Sequence, residues 1–122
     1  GDYAEHTPLM KMFTLGHKAE MHPIYADGLR YHAAAPLISL LRSLRVVEAT
    51  AFPVGEREVF EAARLFTQAE GFLPAPESAY AVKAAVDEAR RLKQDRGEAA
   101  IAFNISGHGF LDLDSYEKML FQ

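Results

Sequence analysis

Two stretches with the hydrophobic spacing of helices flank a segment that cannot be helical throughout, Leu73-Pro74-Ala75-Pro76-Glu77-Ser78. Its two prolines lack backbone donors and bias the residues before them toward extended geometry, so it reads as a rigid loop. Upstream, Glu56 to Glu70 places Val59, Phe60, Ala63 and Phe66 on one face, with acids in its first turn and Gly71 just past its end. Downstream, Glu77 to Asp95 presents Ala79, Val82, Ala85, Val86, Ala89 and Leu92 on one side, with basic residues in its last turns and Gly97 beyond.

Leu37, Leu40, Leu41 and Leu44 form a further helical stripe that opens at Pro36, a residue tolerated in a first turn. Val46 to Phe52, rich in β-branched and aromatic residues and stopped by Pro53, reads as a strand, and Ala99 to Ile105 reads as a buried one. Strand, helices and strand in that order predict a right-handed crossover between parallel strands, hence a layered α/β sheet. Ligands in such sheets sit beyond the carboxyl ends of strands, which is where Ser106-Gly107-His108-Gly109 falls. Asp114, with Glu117 three residues on, is the expected N-cap of a short final helix through Tyr116, Met119 and Leu120. Residues 1–32 show no sustained period beyond a short helix over Leu9 to Phe13, so the expected organisation is one unit over 1–122 with an irregular lead-in over 1–32.

At 49% hydrophobic and 25% charged residues, the composition is that of a folded protein. A net charge of -4, with 13 basic residues scattered among 17 acids, gives no field for nucleic acid. The absence of cysteine removes disulfides and thiolate chemistry and fits a cytoplasmic setting. No apolar run approaches the roughly 20 residues of a membrane span. The five histidines form no HxH, HxxxH or HExxH spacing that would aim two imidazoles at one ion.

Taken alone, Ser106-Gly107-His108-Gly109 fits either a structural turn or a ligand loop whose glycines admit close approach. Glu77 and Ser78 fit capping and dipole compensation as well as a binding role. Gly28-Leu29-Arg30-Tyr31-His32 fits a surface loop as well as a cation and imidazole beside a substrate.

Read in order, these segments resemble the last third of the tryptophan synthase beta chain family, in its divergent second subfamily. The stretches that carry the resemblance are residues 7–17 (TPLMKMFTLGH), Gly28 to His32, Arg57 to Ala62, Glu70-Gly71, Pro74 to Ser78, and Phe103 to Gly109. The resemblance implies a C-terminal portion of a three-layer, parallel-sheet pyridoxal-phosphate enzyme of fold type II. Such an enzyme makes tryptophan by β-replacement from serine or phosphoserine and indole. It further implies that Ser106 hydrogen-bonds the cofactor's pyridine nitrogen, that Glu77 lies near the ring, and that Gly107 and Asn104 belong to the same site. A neutral hydroxyl leaves that nitrogen largely unprotonated and tempers the ring as an electron sink.

Tyr31 and Ala33 resemble positions whose backbone carbonyls help bind a monovalent cation, and Arg30 stands where the better-studied subfamily has an acidic gate over the substrate. Ala33 and Phe110 depart from a glycine and a histidine of the family pattern. The chain opens at Gly1 without a methionine and is read as beginning at a cut. The family's cofactor-anchoring lysine, phosphate-binding loop and catalytic glutamate are expected in earlier sequence, because none of Lys11, Lys18, Lys83, Lys93 and Lys118 matches the anchoring motif. The chain alone is therefore expected to be inactive and to need the N-terminal remainder of its own chain. A homodimer and an alpha-type subunit are further partners the resemblance implies. The rival expectation is a self-standing, non-catalytic binding or assembly module that retains the fold.

Overall fold

A computed structural model describes residues 10–95 and 98–122. They gather into two compact units, one of residues 10–23 and 28–51, the other of 24–27, 52–95 and 98–122. Thr7, Pro8 and Leu9 of the first family-like stretch, and Gly97, lie outside the described residues.

The first unit is built on helix α1 (Pro36–Ser43), with proline at its start as expected. It stops in a Schellman turn, in which Arg45 N–H donates to the Arg42 carbonyl (3.0 Å) and Val46 N–H to that of Leu41 (2.9 Å). Arg45 holds the left-handed position of that turn at φ 57°, where glycine is the usual occupant. An antiparallel bridge between Thr14 and Ala33 ties the lead-in to the segment before α1. Phe13 N–H reaches the buried Ser39 Oγ at 3.0 Å, and the Arg42 guanidinium lies 5.0 Å above the Phe13 ring. No helix forms over residues 10–13. The leucine stripe exists, yet Leu37, Leu40 and Leu44 are 64%, 53% and 63% exposed, so periodicity has named a face that this chain leaves uncovered.

The second unit holds helices α2 (Glu56–Glu70), α3 (Pro76–Gln94) and α4 (Leu113–Phe121). Its core is Val59, Phe60, Ala63, Ala79 and Tyr116, edged by Val54, Leu73, Tyr80, Met119 and Leu120. Gly71 ends α2 in the left-handed conformation at φ 71°. Across the helix pair, Lys83 of α3 lies 3.8 Å from Glu58 of α2 and pairs with Asp87 one turn along. Residues 24–27 strap the start of α2: Ala26 is fully buried, Tyr25 N–H donates to Glu56 Oε1 at 2.7 Å, and the Tyr25 ring meets Phe60 edge-on at 6.0 Å.

The described residues do not form the expected α/β layering. Among the described residues there is no strand, and Val46 to Phe52 and Ala99 to Ile105 run as irregular backbone with Ala99, Ala102, Phe103 and Asn104 exposed. β-Branched and apolar composition says that a segment can sit in a sheet, but a strand exists only when a neighbour completes its ladder of N–H and C=O groups. The expected cap of α4 also shifts: Asp112, not Asp114, holds the N-cap position, with no side-chain capping bond.

Candidate functional site

The second unit brings the Ser106–Gly109 loop against the proline segment that opens α3. Pro74 and His108 form an antiparallel bridge, closed by Ala75 N–H to the Gly107 carbonyl (3.0 Å) and Gly109 N–H to the Leu73 carbonyl (2.8 Å). These bonds flank the Pro74–His108 pair instead of joining it, so the proline's missing donor costs the ladder nothing. One residue further along, Ser106 N–H donates to Ser78 Oγ at 3.2 Å. Ser106 therefore lies beside the first turn of α3, which carries Glu77.

The Ser106 side chain is exposed at this junction, Glu77 is half-buried, and Asn104 is exposed two residues before the loop. The space beside Gly109 is filled by protein, and that beside Gly107 is bordered by one methyl group. A side chain at Gly109 would meet the Pro74 carbonyl oxygen at 2.6 Å, and one at Gly107 would meet the Ala75 Cβ at 3.2 Å. Their small size thus serves the contact between loop and proline segment. His108 turns back on its own loop, accepting Phe110 N–H at Nδ1 (3.3 Å).

Two residues that sequence reasoning placed elsewhere complete the junction. Ser78, expected as a cap, makes no capping bond, since the N-cap of α3 is Ala75. Its buried hydroxyl accepts from Ser106 instead. Tyr116 of α4 donates its hydroxyl to the Pro74 carbonyl at 2.7 Å. Burial first, then the nearby Asp112 and Glu77 carboxylates, push its ionisation well above the ordinary tyrosine value, so the hydroxyl stays a donor across neutral pH. A buried tyrosine that needs a partner for its hydroxyl is the signal that could have found it. Replacing Ser78 by alanine should free the Ser106 amide and cost about 1 kcal/mol, the net worth of one such bond. Urea unfolding of the S78A chain measures this, and unchanged stability with an unchanged Ser106 amide resonance would contradict it.

Arg30, Tyr31 and Ala33 belong to the first unit. Arg30 Nη2 donates to the Met21 carbonyl at 3.1 Å. The Tyr31 side chain is 74% exposed, and Ala33 sits in the bridge with Thr14. The carbonyl of His32 between them accepts from both Leu15 N–H (2.7 Å) and Thr14 Oγ1 (3.1 Å). Among the described residues no group of three His, Asp or Glu side chains could hold a metal ion, and no helix is long and apolar enough to cross a membrane.

No family model matches the chain. Individual proteins do. It is 54% identical over 120 residues to tryptophan synthase beta chain 2 of Aeropyrum pernix, covering 98% of this chain and 26% of that protein. Tryptophan synthase beta chain of Pyrobaculum aerophilum is 58% identical over 113 residues, covering 93% of this chain and 26% of the relative. For tryptophan synthase beta chain 2 of Aquifex aeolicus the identity is 52% over 120 residues, with 98% and 27% covered. The chain thus spans about a quarter of the length of these relatives, in their C-terminal part. Identity above one half, sustained over nearly every residue, means that this chain belongs to the tryptophan synthase beta chain family.

Proposed function

We propose that the chain serves as the C-terminal quarter of a pyridoxal-phosphate-dependent enzyme that makes tryptophan from serine or phosphoserine and indole. In this reading the Ser106–Gly109 loop and the first turn of α3 form one wall of the cofactor site. The observation that carries it is the bond from the Ser106 amide to Ser78, which sets Ser106 beside the first turn of α3, the turn that carries Glu77. The residues fit the group: the Ser106 amide is committed to Ser78, while the residue itself is exposed and a serine hydroxyl can donate to a ring nitrogen. Glu77 lies close enough to this corner to act electrostatically on Tyr116.

Bound pyridoxal phosphate would supply an electron-withdrawing ring. Ser106 would orient it and keep its nitrogen unprotonated, and Gly107 would hold Ser106 in register with Ala75. Asn104 borders the same loop. Carried over by family resemblance, Tyr31 and Ala33 would offer carbonyls to a monovalent cation and Arg30 would stand at the substrate gate. A second copy and an alpha-type subunit would be partners, and the cytoplasm the setting. Val46 to Phe52 and Ala99 to Ile105 would become strands when the remaining three quarters of the fold supply neighbours for their ladders. The exposure of Leu37, Leu40, Leu44 and Val46 supports the same view, since such a density of uncovered apolar side chains is costly in an isolated unit.

The test replaces the corresponding segment of the Aeropyrum pernix relative with this chain. The chimaera is expected to form tryptophan from indole and serine or phosphoserine, and the 122-residue chain alone to form none. Within the chimaera, Ser106→Ala should lower kcat about tenfold, the value of roughly one hydrogen bond in the transition state. A folded chimaera that binds pyridoxal phosphate and yields no tryptophan would overturn the reading.

A further inference from the structure

We propose that Tyr116 is a positioning residue for this junction: by holding the Pro74 carbonyl, it fixes the depth at which the Ser106–Gly109 loop lies against the start of α3. As a statement about the cofactor wall, this rests on the function proposed above; as a statement about the loop it stands by itself.

Because Pro74 and His108 are the pair that exchanges no bonds, the Pro74 carbonyl points away from the opposite segment and the ladder offers it no donor. Pro74 is among the fully buried residues, so water cannot serve it either. Tyr116, 42 residues away, supplies the donor at 2.7 Å. The same ring limits the loop from the other side, with its Cε2 3.0 Å from the position a Gly109 side chain would take. The ring is itself immobilised by the core, meeting Phe60 at 4.7 Å with planes 65° apart. A chain of contacts therefore runs from α2 through Phe60 and Tyr116 to Pro74 and Gly109. These two residues sit three positions from Glu77 and from Ser106 respectively.

Removing the hydroxyl while keeping the ring should loosen this brace without opening the core. In the 122-residue chain, Tyr116→Phe is expected to speed hydrogen exchange at the Ala75 and Gly109 amides about tenfold relative to the α3 amides, the worth of one buried bond. Val82→Ala, which removes buried volume on α3 and leaves the Tyr116 hydroxyl on Pro74, serves as the control for general destabilisation. It should raise exchange without singling out those two amides. In the chimaera described above, Tyr116→Phe should shift the absorption band of bound pyridoxal phosphate and lower kcat, and Val82→Ala should leave the band where it is. Loop amides that respond no more than helix amides, or a band that shifts equally in the Val82 control, would overturn the proposal. If the unsubstituted chimaera bound no cofactor at all, the enzymatic reading would fail and the exchange comparison would still decide the brace.

Discussion

Phe60→Ala is expected to destabilise the second unit by about 4 kcal/mol, the cost of truncating a buried aromatic residue to alanine. Phe60 is fully buried and lies between Tyr25 and Tyr116, both edge-on to its ring. Truncation removes transfer energy, leaves a cavity that Val59, Ala63 and Ala79 are too short to fill, and deletes two aromatic pairs. For a domain of ordinary stability, about 5–15 kcal/mol, that is a large share. The chain has no tryptophan, so tyrosine fluorescence and far-ultraviolet circular dichroism during urea unfolding are the natural probes. Tyr25 and Tyr116 would report directly, since both touch the deleted ring. A loss below about 1 kcal/mol would mean the core is not organised around this residue.

The helices were legible because their signals are local. Leu37 to Leu44, Val59 to Phe66 and Ala79 to Leu92 carry the spacing of one helical face, and the structure forms helices over 36–43, 56–70 and 76–94. Gly71 marks an end because the left-handed position past a helix favours glycine. The strands were not legible in the same way. Val46 to Phe52 and Ala99 to Ile105 have the composition of strands, but a ladder is a relation between segments, and the partner is not written in the segment. The same limit explains α1, whose apolar face could be named from sequence while what covers it could not.

At the junction, resemblance pointed to Ser106 and Glu77, and packing then assigned their neighbours different work from the work expected. Ser78 looked like a cap because serine often caps at a helix start, yet its partner lies 28 residues downstream. The glycines of the loop suggest room for a ligand, and at Gly109 the space a side chain would take is occupied by Pro74, Leu73 and Tyr116. Tyr25 and Ala26, placed in an irregular lead-in by lack of periodicity, are anchored on α2 through Glu56 and Phe60. In each case the deciding contact joins positions far apart in sequence, which periodicity within a window cannot register.

Gly109→Ala should cost about 3 kcal/mol, while Gly107→Ala, two residues earlier, should cost less than about 1 kcal/mol. The contrast follows from what each new methyl would strike. At Gly109 it would lie 2.6 Å from the Pro74 carbonyl oxygen and 2.9 Å from Leu73 Cγ, and a backbone oxygen held in a bridge cannot step aside cheaply. Relief requires opening the bridge, which gives up the Gly109 N–H bond to Leu73 and draws Pro74 away from Tyr116. At Gly107 the nearest atom is the Ala75 Cβ at 3.2 Å, so relief needs a shift of only a few tenths of an ångström and no broken bridge. Thermal unfolding of the two variants measures the difference, and equal losses would show that the loop does not lie against the proline segment as described. Because Gly109→Ala and Tyr116→Phe disturb the same carbonyl, their costs should combine to less than their sum. A double-mutant cycle returning strict additivity would separate the bridge from the brace.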